Sequence, residues 1–447
     1  MLLALLLAVG PVPPDVAQKL VGGALTSGVA YARLQELTDT VGARLSGSPG
    51  ATAAVQWALK KFQQDGLAAR TEAVKVPHWV RGEETAEMLA SPGSAGHRLA
   101  VTALGNSIGG SATAEVVEAR SVAEIASLGA AVRGKIVFFN HTMSAPADYG
   151  KFVEMRSHGP SASGRAGAVA VLLRSLATAS FRSPHTGLTI YDADTARIPA
   201  AAVSTEDADL LHRLLQRGTV RARMSLGCRM LPDADSANVI GEVRGRDKPD
   251  EVVLIGAHLD SWDLAQGAND DGAGVAMVME AGRLIASLPQ RPRRTLRVVL
   301  FMNEENGLAG GKGYAAAHQA ELGRHVAALE ADSGADRPLS VRLRTGEGGN
   351  AMLAPWLLPL ESLDIRLDEG DAGGADLTPM DGALVPLVSV HPDVTHYFDI
   401  HHSAADTLDK IDPENLAKNA AAIAVVAYAL AEMPATLPRP AARPATH

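Results

Sequence analysis

Apolar residues return every three or four positions through AYARLQELTDTVGARL and ATAAVQWALKKFQQDGL, so residues 27–66 read as helical, each run closing near a glycine. Alternation then takes over. RTEAVKVPHW (70–79) reads as a strand that Pro77 closes. From about residue 93 the texture shifts to short strands, AVTALG, TAEVVEA and GKIVFFN (134–140), separated by Gly/Ser-rich turns. AGAVAVLLRS (166–175) and TEDADLLHRLL (205–215) fit helix or strand–helix pieces of the same stretch. A longer rhythm begins at SANVIGEVRG (236–245). EVVLIGAH (251–258), RVVLFM (297–302), HVAALEAD (325–332) and LVPLVSVH (384–391) read as strands. GAGVAMVMEAGRLIASL (272–288), LAGGKGYAAAHQAEL (308–322) and DPENLAKNAAAIAVVAYALAEM (412–433) read as helices. The last has Asp412 as cap and Pro413 in its first turn.

Strands alternating with helices predict an α/β domain, a mostly parallel sheet sandwiched by helices. The different texture of 93–232 predicts a small α/β module inserted into it, so that 11–92 and 233–433 form one domain. At 447 residues the chain exceeds one ordinary domain. The Pro/Ala-rich stretch 434–447 predicts a disordered tail.

Composition narrows the class. A hydrophobic share of 47% with 20% charged residues suits a globular protein with a large core. A net charge of −9 and the lack of any Lys/Arg-rich block argue against a nucleic-acid partner. The single Cys228 excludes an internal disulfide and reads as a small buried apolar residue. Residues 1–9 are apolar but far short of the roughly 20 needed to span a bilayer. With small residues at 8–10 they resemble a signal-peptide core without its positive start, which predicts a secreted or periplasmic protein. No other stretch predicts a membrane span.

The chemistry gathers where strands end, the place at which open α/β sheets bind ligands. One strand ends in His258 and Asp260, and the loop after it carries Asp270 and Asp271. The next ends in Glu304 and Glu305, another in Asp332, and a late loop carries His401, His402 and Asp406. Taken singly these have ordinary readings: a hydrogen-bonded structural histidine, helix-capping aspartates, a solvated pair of glutamates. Together, so many acids without Lys or Arg partners repel one another, and divalent cations resolve the conflict. Imidazole mixed with carboxylate suits zinc better than magnesium or calcium. Without a cysteine to add, the set fits a catalytic site with open positions.

The series HLDSWD, GANDDGAG, NEENG, EADSG and IHHSAADT resembles the co-catalytic two-zinc exopeptidases, which include bacterial leucyl aminopeptidases and glutamate carboxypeptidases. VPHWVRGEE (76–84), RGKIVFFN, FRSPHTG (181–187) and IPAAAVSTEDAD are similar to segments of the carboxypeptidase Q (plasma glutamate carboxypeptidase) branch, so the likeness runs from about 27 to 433. The resemblance implies two Zn(2+) ions, with Asp270 bridging them. His258 and Asp332 would hold the first, and Glu305 and His402 the second, His402 being chosen over His401 by its distance from Asp406-Thr407. Glu304 matches the general base that takes a proton from the metal-activated nucleophile, and Asp260 the acid that orients the histidine ligand. The resemblance also implies that 93–232 is a protease-associated domain, that the protein is a secreted homodimer, and that it hydrolyses unblocked dipeptides. His401, beside a ligand, is expected to hydrogen-bond the tetrahedral intermediate, and Asp376 to shape the substrate pocket. The alternatives are an aminopeptidase acting on longer peptides, a non-catalytic binding scaffold that has lost its ligands, and a one-zinc cyclisation enzyme on the same fold.

Overall fold

A computed structural model describes residues 12–91, 94–179 and 181–442; the signal-like residues 1–10 lie outside them. The N-terminal part is helical over Val29–Thr40 and Pro49–Gln64, the second helix opened by Ser48, whose hydroxyl accepts the Ala51 N–H. A long strand, β1 (Ala68–Val80), follows. Pro77 does not close it. The register slips between Val76 and His78, and the strand continues to Val80, because a bulge accommodates a residue that has no N–H to offer the ladder.

Eight short strands come next: β2 (Glu84–Met88), β3 (His97–Leu99), β4 (Val101–Ala103), β5 (Gly110–Ala119), β6 (Ile136–Phe139), β7 (Ala170–Arg174), β8 (Ala200–Val203) and β9 (Arg221–Leu226). They build a sheet of their own in the order β3-β2-β9-β5-β6-β7-β8-β4. The chain then returns along β1 as β10 (Arg229–Val243), pairing antiparallel from Val80 opposite Arg229 to Ala68 opposite Glu242. The second sheet is therefore an excursion between two paired strands of the first.

The main sheet is completed by β11 (Lys248–His258), β12 (Arg294–Phe301), β13 (His325–Glu330), β14 (Pro338–Arg344), β15 (Arg366–Leu367) and β16 (Leu387–Pro392), in the order β1-β10-β12-β11-β13-β16-β14-β15. Its centre, β12-β11-β13-β16, is parallel. Its flanks are mixed: β1, β10 and β12 run antiparallel in turn, and so do β14 and β16, while the short β15 runs parallel to β14. The second sheet is also mixed. The expectation of a mostly parallel sheet is corrected accordingly. Hydrophobic periodicity marks a strand but carries no direction, so the antiparallel pairs on the flanks leave no trace in it.

Both faces of the central strands are covered. Val253, Ile255 and Ala257 of β11 pack with the N-terminal helices and with helices Ala273–Ala286 and Pro413–Glu432, whereas Leu254 belongs to the cluster on the opposite face with Tyr314, Leu377 and Met380. Asp412 caps the last helix through the N–H groups of Glu414 and Asn415. Residues 434–442 lie against the main domain: Leu437 is buried, and the Pro438 carbonyl accepts from Thr345 Oγ1 at 2.6 Å. Among the described residues no helix is long and apolar enough to cross a membrane.

Candidate metal centre and substrate cleft

The central parallel strands deliver their last residues to one edge of the main sheet. His258 closes β11 and is buried. Its Nδ1 donates to the Asp260 carbonyl at 3.0 Å, which turns Nε2 toward Asp270 Oδ1 at 3.0 Å and Asp332 Oδ1 at 3.5 Å. Asp270 sits in an irregular turn, 268–272, joined to Asp271 by a cis peptide bond. Asp406 pins this turn by accepting the N–H groups of Asn269 at 2.6 Å and Asp270 at 3.2 Å. The second Asp270 oxygen faces His402 Nε2 at 3.3 Å and His401 Nε2 at 3.6 Å. His402 Nε2 also lies 3.1 Å from Glu305 Oε2, while the other Glu305 oxygen accepts the Trp262 N–H at 3.2 Å. Asp332, His258, Asp270, His402 and Glu305 thus form one unbroken run of contacts assembled from four separate parts of the chain.

Burial opposes charge at Asp270, Glu305, His258 and His402, and the neighbours decide the outcome. At Asp270 the two histidines outweigh burial and hold the carboxyl well below its ordinary range. At Glu305 burial and the Asp270 charge prevail over His402 and push the carboxyl up to about 7. Burial disfavours the imidazolium of His258 and of His402, yet the facing carboxylates hold both well above their usual value. The facing nitrogen and oxygen electron pairs are those a divalent cation would take. Imidazole nitrogens and carboxylate oxygens within 4.8 Å of one another, with no thiolate among them, fit a zinc-type ion.

Glu304 stands beside this run, half-buried, and lines the cleft with Glu305 and Asp332. Burial, then the charges of Asp332 and Glu305, hold its carboxyl well above the ordinary range despite the opposing pull of His258. Asp260 lies two residues past His258 and is fully buried. Its carboxylate is 3.9 Å from His258 Nδ1, and the imidazole is oriented by the Asp260 carbonyl instead. The carboxylate accepts the N–H groups of Asn303 at 2.7 Å and Glu304 at 3.1 Å, and the Ser46 hydroxyl at 3.1 Å. These amides lie just past the end of β12 and would otherwise be buried without a partner.

Asp376 is fully buried, accepts the Gly311 N–H at 3.1 Å and donates its own N–H to Glu330 at 3.4 Å, and it is not among the residues that line the cleft. His401 does line the cleft. Its ring stacks on His402 at 3.5 Å and meets Tyr149, Tyr397 and Phe398 at 5.0–5.3 Å. Burial and the neighbouring His402 hold it well below the usual histidine value, so it is a neutral imidazole.

Two groups escape a reading of the sequence. Arg44 is fully buried beneath the site and donates to the carbonyls of Leu259 (2.7 Å), Gln266 (2.6 Å) and Gly267 (2.8 Å). The acids therefore do have a cation near them, though it binds their loop and not their oxygens. Asp271, also buried, accepts the N–H groups of His258 at 3.1 Å and Gly274 at 3.0 Å. The polar series around residue 44 gives no hint of partners more than 200 positions away. The Asp-Asp pair was visible in the sequence; the bond from the His258 amide to Asp271 was not.

The cleft above these groups encloses about 1150 Å³. Its floor is the edge of the main sheet, and part of its wall comes from the second-sheet segment, including Asn106, Tyr149, Arg156, Tyr191 and Arg197.

A wide cleft over a buried histidine–carboxylate cluster, at the carboxyl ends of parallel strands, defines a metallopeptidase once the likenesses of the chain are added. The family model described as "Peptidase family M28" matches residues 238–427. Carboxypeptidase Q of Mus musculus is 39% identical over 415 residues, 92% of this chain and 87% of that protein, and the Homo sapiens protein is 38% identical over the same shares. A solved structure of a peptidase M28 precursor from Shewanella amazonensis superposes with a TM-score of 0.91 at 39% identity, covering 96% of this chain and 98% of that one. The fold alone is shared with a zinc aminopeptidase from Bacillus subtilis, at 18% identity and a TM-score of 0.68 over 91% of this chain and 96% of the other. The chain belongs to peptidase family M28.

Proposed function

We propose that the protein is a zinc exopeptidase that hydrolyses unblocked dipeptides. Two ions would be held, one by His258, Asp270 and Asp332 and the other by Asp270, Glu305 and His402. The observation that carries this reading is the position of Asp270, one oxygen facing His258 and the other His402. The zinc aminopeptidase named for the structural neighbour and the carboxypeptidases named for the relatives support the same chemistry. When bound, the ions would supply Lewis-acid polarisation of the scissile carbonyl and a more acidic water.

The rest is work for the chain itself. Glu304, at the cleft wall, takes the proton of the attacking water and returns it to the leaving amine. Asp260 holds the backbone that carries Glu304. Neutral His401 offers its imidazole toward the oxyanion side of the substrate. Arg156, Arg197 and Lys312 line the same cleft as the acids, so a short peptide with both termini free finds opposite charges for its two ends.

One observation favours a second reading, an aminopeptidase acting on longer peptides. A volume of about 1150 Å³ is more than a dipeptide fills. By the same family likeness we take residues 93–232 to be a protease-associated domain and the protein to be a homodimer, which sedimentation velocity would check. The decisive experiment offers zinc-loaded protein a matched panel of dipeptides, tripeptides and N-acetylated dipeptides with mass-spectrometric readout. Cleavage confined to free dipeptides is expected. Equal cleavage of tripeptides would favour the second reading, and cleavage of acetylated peptides would reject both.

A further inference from the structure

His402 differs from His258 in what holds it. His258 ends a central strand, and its Nδ1 is fixed by a carbonyl. His402 lies in a loop and carries a φ of +58°, a backbone region that residues with a side chain seldom adopt. Its Nδ1 faces the Arg156 guanidinium at 3.4 Å, a donor group, where a ligating imidazole ordinarily gives its proton to a carbonyl or carboxylate. The ring is therefore oriented by other means.

Those means come from the second-sheet segment. The Thr186 N–H donates to the His402 carbonyl at 2.8 Å. Thr178 donates twice, its N–H to the Phe398 carbonyl at 3.3 Å and its hydroxyl to Asp399 Oδ1 at 2.5 Å. Beside these ties the Phe398 side chain, half-buried and within 5.0 Å of the His401 ring, reaches across to the second sheet. It packs against the apolar cluster of the second sheet that contains Val137, Phe139 and Leu173, and its ring stacks on Tyr149 at 4.7 Å and 29°.

We propose that Phe398 is a positioning residue: its packing against the apolar cluster of the second sheet draws the 396–403 loop against that sheet and so sets His402 for metal. The second-sheet segment then does more than wall the cleft. It completes the half of the metal centre that contains Glu305 and His402, while the half containing His258 and Asp332 stands on the main sheet alone. This inference rests on the metal reading of these residues.

The test uses full-length protein and zinc, with Phe398→Ala to remove the aromatic contact and Thr178→Val to remove one hydroxyl tie at nearly constant volume. Ile125→Ala, in the same apolar cluster but away from the loop, controls for a general loosening of the second sheet. Bound zinc per chain is counted by native mass spectrometry against increasing chelator, and thermal denaturation of the metal-free proteins reports folding. Both loop variants are expected to lose one ion at a chelator concentration at least tenfold lower than wild type, with the other ion held as in wild type. Ile125→Ala should keep both. The inference is overturned if the loop variants keep both ions as wild type does, lose both in step, or behave as Ile125→Ala does. Should Phe398→Ala fail to fold, Thr178→Val decides alone. Wild type holding fewer than two ions would instead reject the underlying metal reading, and the inference with it.

Discussion

The carboxylate of Asp260 accepts the backbone N–H of Glu304 at 3.1 Å. An acid just past the end of one strand thus fixes the turn that begins where the next strand stops. The same oxygen takes the Asn303 N–H at 2.7 Å, so one buried side chain satisfies two amides and sets the direction in which the Glu304 side chain leaves. Asp260→Ala orphans both while leaving the carbonyl that orients His258. Turnover should fall roughly 10–100-fold with zinc content retained. Asp260→Asn, whose amide oxygen still accepts, should fall less. Dipeptide kcat measured beside metal content checks this, and an Asp260→Ala protein with wild-type kcat would remove Asp260 from the argument.

Glu304 and Asp270 should separate catalysis from binding. Glu304→Gln keeps the shape of the side chain but cannot take a proton. It should hold zinc as wild type does and lose turnover by roughly 10²–10⁴-fold. Asp270→Ala removes the one carboxylate that faces both His258 and His402, so zinc and activity should disappear together. Metal analysis of the two variants is the check. An active Glu304→Gln enzyme would show that the proton goes elsewhere.

Much of this site was legible because its members stand where hydrophobic runs stop. RVVLFM is apolar until the two glutamates, and EVVLIGAH until His258, so the break in polarity itself marked the rim. Helix 412–433 was legible for a local reason, the Asp412-Pro413 start. What was not legible depends on partners distant in sequence. Strand direction on the flanks is set by the pairing of β1 with β10, and nothing in either run of residues specifies it. Pro77 looked like an end because the bulge that absorbs it needs the opposite strand. The Gly-rich stretch before Asp376 says nothing of the helix at Gly311 and of Glu330, which enclose it. Phe398 reads as one more aromatic in a loop until the second sheet is seen beside it.

Arg44 carries a prediction about stability. Its guanidinium is the donor for three carbonyls of the loop between His258 and Asp270. Arg44→Met fills similar volume and leaves those acceptors buried and unpaired, at about 1 kcal/mol or more each. The metal-free protein should lose roughly 3 kcal/mol or more in denaturant unfolding, and zinc affinity should fall because the Asp270 turn is no longer held. Arg44→Lys, with one compact donor head, should recover part of the loss. Unchanged stability in Arg44→Met would mean that water replaces the guanidinium.

His325 gives a pH dependence far from the metal centre. It opens β13, fully buried, and burial holds its imidazole down to about 4 from an ordinary 6.5. The hydrogen bonds agree with a neutral ring. Arg297 donates to the Tyr314 oxygen at 2.8 Å, the Tyr314 hydroxyl donates to His325 Nε2 at 2.7 Å, and His325 Nδ1 donates to the Glu321 carbonyl at 3.2 Å. A proton on Nε2 would face a hydroxyl already committed as donor. The unfolded chain takes up that proton near pH 6.5 and the folded chain resists it until about pH 4, so the unfolded state binds more protons throughout this window. Stability from this residue is complete above the upper limit and declines as pH falls toward the lower one, by roughly 3 kcal/mol in all. His325→Gln should start less stable at pH 7.5 but lose less on acidification to pH 4.5. Losses from the metal centre are common to both proteins and cancel in the difference. Chemical denaturation of the metal-free proteins at the two pH values measures it, and parallel declines would assign the acid sensitivity to other groups.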